Sequence, residues 1–174
     1  MEDSVPFGSE MWWFMLAVLV FGRSMDFLST WIATPNLVVE ANPLARKLGW
    51  KWGIPFNLAL CIAFASWPFS AIIITTTSIL VAARNFQSAW LIRTMGEWEY
   101  TAFMSAQMHQ SNWSMYLLCL IGQTGLTAMI GTLVVLSSGD LMIPLAIGVG
   151  IIAYAAAVLF YTLLSVWRIR RRMS

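Results

Sequence analysis

Two side chains of opposite charge, Arg23 and Asp26, stand in a stretch whose other residues are nearly all apolar. Three positions apart, they leave the same face of a helix, and Thr30 continues that face one turn beyond Asp26, with Gly22 and Ser29 at its border. An arginine–carboxylate couple so placed can relay a proton, line a polar path, or do no more than fix the rotation of its helix. Ten residues beyond Thr30 comes a second polar group, Glu40-Ala41-Asn42-Pro43. If residues 34–42 folded back toward the couple, Asp26 and Glu40 would form a carboxylate pair of the kind used in acid–base chemistry.

These residues need a scaffold. The run from Met11 to Ala33 holds 23 residues, and Arg23 and Asp26 are its only charges. At ~1.5 Å per residue such a helix crosses a hydrocarbon core of roughly 30 Å. An ionised group near the bilayer centre costs about 2.5–3.5 kcal/mol, which pairing offsets only in part, so the couple is a functional candidate. The whole chain agrees with a membrane setting. At 59% hydrophobic and 10% charged residues, with a mean hydropathy of +0.73, it reads as an integral membrane protein and not as a water-soluble domain.

The expected fold is all-α, a single polytopic membrane domain of four transmembrane helices plus an interfacial, amphipathic helical segment. The spans read as about 11–33, 56–83, 114–137 and 141–167, with connections at 34–55 and 84–113. Pro68 lies in the middle of the second span and predicts a kink there. The third and fourth spans carry small residues at helical spacing, among them Gly131 in one and Ala146, Gly150 and Ala153 in the other. Such faces let helix backbones approach closely, and the short turn 137–140 predicts an antiparallel hairpin. Gln123, on the third span, is a candidate hydrogen-bond partner for Asp26 or Arg23. The first span reads as a retained signal anchor, being longer than a signal-peptide core.

In the first connection, Asn42 before Pro43 predicts a helix start, with an Asn cap and Pro at the first helical position, stopped by Gly49. Residues 84–112 mix Trp90, Trp98 and Phe103 with Arg93, Glu97 and Glu99, which suits a helix on the membrane surface or a docking surface for another subunit. With four spans both termini share a side. That side carries Arg84, Arg93, Arg168, Arg170, Arg171 and Arg172, against Arg46, Lys47 and Lys51 opposite, so the positive-inside rule predicts cytoplasmic termini.

Several chemistries find no support in the residues. His109 is the lone histidine and sits beside Gln107, Gln110 and Asn112, so it reads as a solvated interfacial side chain and a weaker candidate. On this topology the acidic residues and His109 fall on both sides of the membrane, and no metal site is expected. No bis-histidine haem can be built from one histidine, and neither Lys47 nor Lys51 lies in a span to hold a retinal. No nucleophile motif or phosphate-cradling glycine loop occurs. There is no basic patch with interleaved aromatics for nucleic acid. No catalytic residue is assigned and no cofactor is expected; bound lipid is.

The pattern Asp26-x-x-Ser29-Thr30 followed by Glu40-x-Asn42-Pro43 resembles a set of small uncharacterised prokaryotic multi-pass membrane proteins that share an Asp…Thr and a Glu-x-Asn-Pro motif. The resemblance spans roughly residues 23–60. It marks Asp26, Thr30, Glu40, Asn42 and Pro43 as recurring positions, suggests a prokaryotic inner or plasma membrane, and implies no particular activity. Three functions remain in view. The first is an accessory subunit or assembly factor of a larger membrane complex, bound through its helices and residues 84–112. The second is a small transporter or an ion- or proton-conducting oligomer using Arg23 and Asp26. The third is an intramembrane enzyme using Asp26 and Glu40.

Overall fold

The computed structural model describes residues 4–171, excluding the side chains of His109 and of residues 169–171. The described chain is all-helical. Helix α1 covers Glu10–Ala33, α2 Pro43–Phe64, α3 Pro68–Met95, α4 Glu97–Gln110, α5 Trp113–Ser137 and α6 Met142–Arg171. Four of these are long and apolar enough to cross a membrane: Glu10–Ala33, Pro68–Met95, Trp113–Ser137 and Met142–Arg168.

Local chemistry sets the helix starts. The Ser9 side chain accepts from Trp12 N at 3.2 Å, and Asn42 Oδ1 accepts from Leu44 N at 3.0 Å with Pro43 in the first turn, as its sequence predicts. Gly49 adopts φ 60° and ψ −170° and breaks the geometry of α2, which then resumes and continues to Phe64. Pro68 does not kink a span. It opens α3, where its missing N–H is no loss, and the chain reverses at residues 65–67. The stretch expected as one span at 56–83 is therefore the end of α2 and the first half of α3. Helix α3 also runs on to Met95, so only α4 remains of the segment expected on the membrane surface.

The contacts give each helix a direction. Along α2, Trp50 meets Phe27, with ring centroids 6.0 Å apart, then Asn57 meets Arg23, and then Cys61 and Ala65 pack with Trp12, Met15 and Leu19. The α2 chain thus runs back along α1, and Val5 N donates to Ser66 O at 2.8 Å where it ends. Helix α3 climbs parallel to α1: Ala71 joins the Trp12 cluster, Thr75 meets Gly22, Ser78 meets Arg23, Asn85 meets Thr30, and Ile92 packs with Ala33. Helix α6 follows α3 in the same direction, from the Thr77–Gly150 bond at 3.1 Å to the Arg168 Nη1–Ala41 O bond at 3.4 Å.

Helices α5 and α6 form the expected hairpin. A Cβ on Gly131 or Gly148 would lie 2.8 Å from the other's carbonyl oxygen, so the two backbones are as close as glycine allows. The outer face of α5 exposes Leu118, Ile121, Leu126 and Leu133, an apolar surface suited to lipid. Because α2 returns along α1, Val5 and Arg168 lie at opposite ends of the bundle.

Candidate functional site

The polar face of α1 points inward. Arg23 Nη1 donates to Asp26 Oδ2 at 2.8 Å and to Ser78 Oγ of α3 at 3.1 Å, while its Nε donates to Asn57 Oδ1 of α2 at 2.9 Å. Its Nη2 bonds the same Asn57 oxygen, and Asn57 is itself held by its Nδ2 bond to Gly53 O at 2.8 Å. One guanidinium thus ties three helices together. It lies ten residues below the end of α1, a depth of about 15 Å at ~1.5 Å per residue. Two turns higher, Asn85 Nδ2 of α3 donates to Thr30 Oγ1 at 3.1 Å.

Above these bonds is a cavity of about 530 Å³ bounded by α1, α2, α3, α6 and residues 34–42. That volume is within the range of small-molecule sites. Arg23, Asp26, Asn57 and Thr77 line its deep part, and Glu40, Asn42, Arg84, Asn85 and Ser88 its shallow part. Apolar walls come from Phe27, Leu60, Val81, Ile92 and Val158. One turn below Arg23 the bundle closes on the apolar cluster of Trp12, Met15, Leu19, Cys61, Ala65 and Ala71.

The loop over the cavity is held from outside by Glu97, at the start of α4. Its carboxylate accepts from Thr34 Oγ1, Asn36 N (3.0 Å), Asn36 Nδ2 (2.9 Å) and Val38 N (3.1 Å). The two backbone bonds bracket Leu37, whose φ of 55° is unusual for a residue with a side chain. Burial alone would raise the Glu97 pKa, but these hydrogen bonds outweigh it and leave the carboxyl below its usual value. Trp50 Nε1 fixes the same loop by donating to Pro35 O at 2.8 Å. Folded this way, residues 34–42 bring Glu40 to the cavity that Asp26 lines. Burial raises the pKa of Glu40, the Asn42 N–H at 2.7 Å lowers it, and the charge of Asp26 raises it further; the net direction is up.

Of the residues singled out in the sequence, Arg23, Asp26, Thr30, Glu40 and Asn42 come together here. Gln123 does not. It is exposed on α5, away from Asp26 and Arg23, because α5 packs against α6 through its opposite face at Leu120, Thr124 and Gly131. His109 is in α4, and its side chain lies outside the described residues. Sequence reasoning missed the roles of Asn57, a lone polar residue in an apolar run, of Ser78, at the end of the Thr75–Thr77 hydroxyl run, and of Asn85, next to Arg84. It also read Arg84 only as a flanking charge and Glu97 only as interfacial. Comparison with protein-family models, with curated proteins and with solved structures finds no match for the chain.

Proposed function

We propose that the protein is a membrane binding protein or carrier, whose working part is the cavity between α1, α2, α3 and α6. One observation carries this reading: part-buried polar groups from three helices converge on an open volume, and an apolar cluster closes the bundle beneath it. A conducting path would need polar groups along the whole bundle, whereas Leu19 and Ala71 below Arg23 are fully buried among apolar neighbours. The site is therefore entered from one end.

That end is read as cytoplasmic. Arg46, Lys47, Lys51, Arg84, Arg93 and Arg168 flank it, and three further arginines follow Arg168 in the sequence. Residues 4–9, 65–67 and 138–141, at the other end, carry no lysine or arginine. With this helix order and the positive-inside rule, we read the Val5 end as outside and the cavity mouth as inside, in place of both termini on one side.

The test is reconstitution into liposomes. Wild-type protein should add no steady proton or potassium conductance to protein-free vesicles. A steady conductance that falls in Asp26→Asn would contradict the reading and favour a conducting oligomer. A second reading, as a subunit of a larger membrane complex, draws on the aromatic surface near α4, where Trp90, Trp98 and Phe103 are exposed. Gentle extraction that yields one monodisperse chain with no companion would count against it.

A further inference from the structure

Arg84 is the residue of the cavity that the hydrogen bonding leaves unexplained. Arg23 is satisfied by Asp26, Asn57 and Ser78, but Arg84 donates no hydrogen bond to any described residue, and its Nη1 is buried without a partner. Arg84 is half-buried as a whole, but a guanidinium N–H sealed from water with no acceptor is costly, and folded proteins keep one chiefly where something else completes it. Its depth follows from its neighbour: Asn85 bonds Thr30, three residues below the end of α1. Arg84 is thus within about 5 Å of the helix end at ~1.5 Å per residue, near the level of lipid headgroups. Ser88, one turn along α3, and Tyr161 and Thr162 of α6 line the same cavity with hydroxyl groups.

We propose that Arg84 anchors a phosphate group in the shallow part of the cavity, with Tyr161 and Thr162 as further donors; the Ser88 hydroxyl is already spent on Asn85 O at 3.2 Å. The planar guanidinium fork suits a tetrahedral oxyanion through two parallel N–H bonds. The apolar walls formed by Val81, Ile92 and Val158 suit the carbon skeleton attached to it. The phosphate comes either from a lipid headgroup or from a soluble phosphate compound. This inference rests on the cavity being a binding site and adds the chemistry of its ligand.

The experiment is thermal unfolding of the purified full chain in a phosphate-free, non-ionic glycoside detergent. One arm adds short-chain phosphatidylglycerol and the other inorganic phosphate. Wild type should gain a saturable rise in Tm in one arm; a response to the lipid alone assigns a headgroup, and a response to inorganic phosphate assigns a soluble ligand. In Arg84→Gln the apparent affinity should fall at least tenfold, and Arg84→Lys should recover part of it. Without either additive, Arg84→Gln should melt at or above the wild-type temperature, because an unpaired charge has been removed. No response of wild type in either arm, or an unchanged response in Arg84→Gln, overturns the phosphate anchor. If Arg84→Gln does not fold, the wild-type arms and Arg84→Lys decide: a weaker response in Arg84→Lys than in wild type supports the anchor, and an unchanged one overturns it. Cavity accessibility measured independently by cysteine labelling would still stand if only the phosphate assignment failed.

Discussion

Arg23 and Asn57 face each other across α1 and α2, with Arg23 Nε 2.9 Å from Asn57 Oδ1. The pair ties α2, most of whose side chains stay exposed, to α1: a guanidinium at that depth must be satisfied by groups from more than its own helix. Asn57→Leu removes the acceptor of both Nε and Nη2. The expected loss is about 3 kcal/mol, because the charge stays buried with fewer partners. Replacing Arg23, Asp26 and Asn57 together by leucine should recover most of that loss, since a buried ionic group is often no more stable than an apolar one. Unfolding in detergent measures both, and additive losses in the triple variant would show that the three do not act as one network.

Glu97 gives a pH signature. Its pKa in the folded protein lies below the usual value of 4.5, so it contributes stability that is fully present above 4.5 and lost as pH falls through the lowered value. Glu97→Ala, which loses four hydrogen bonds to the 34–38 loop, should cost about 3 kcal/mol near neutral pH. The difference between wild type and variant should shrink in acid. A difference that is the same at pH 7 and in strong acid would mean the carboxylate charge does not hold the loop.

Glu40 should behave in the opposite sense. Burial and the Asp26 charge raise its pKa, so its ionisation opposes folding, and stability falls as pH rises from 4.5 through the raised value. Gln at position 40 keeps an oxygen to accept from Asn42 N but carries no charge. Glu40→Gln should therefore melt above wild type at pH 8, with the gap closing toward acid. Wild type melting higher than the variant at pH 8 would place an unrecognised cation beside Glu40.

The α5–α6 contact separates glycines that matter from those that do not. A Cβ at Gly148 would lie 2.7 Å from Val135 Cγ2 and 2.9 Å from Val135 N, whereas one at Gly125 meets nothing within 4 Å. Gly148→Ala should cost about 1–3 kcal/mol by overpacking. Gly125→Ala should be neutral or slightly stabilising through helix propensity. Equal effects at both sites would contradict the close approach.

How much of this was legible in the sequence follows from what each signal measures. Length and hydropathy located α1, α5 and α6, because a bilayer sets a minimum apolar run. They merged the end of α2 with α3, because Ser66-Trp67-Pro68 is a helix break that stays apolar and looks the same to a hydropathy window. Proline at that position reads equally as a kink or as a first helical residue, and only the turn preceding it decides. The Arg23–Asp26–Thr30 face was visible as spacing on one helix. Its partners Asn57, Ser78 and Asn85 come from 34 to 55 positions away, and no local pattern encodes such a pairing. Glu97 was hidden for the same reason, since its four hydrogen bonds all reach back to the loop after α1.

The most direct measurement is thiol labelling at position 88 in sealed vesicles. Cys61→Ala and Cys119→Ala first remove the two native cysteines, and Ser88→Cys then places a thiol in the cavity, with Leu126→Cys on the exposed face of α5 as the lipid-facing control. A membrane-impermeant thiol reagent should modify Ser88→Cys in inside-out vesicles, leave it untouched in right-side-out vesicles, and spare Leu126→Cys in both. Modification of Ser88→Cys from the outside, or from neither side, would contradict a polar cavity entered from the basic end of the bundle.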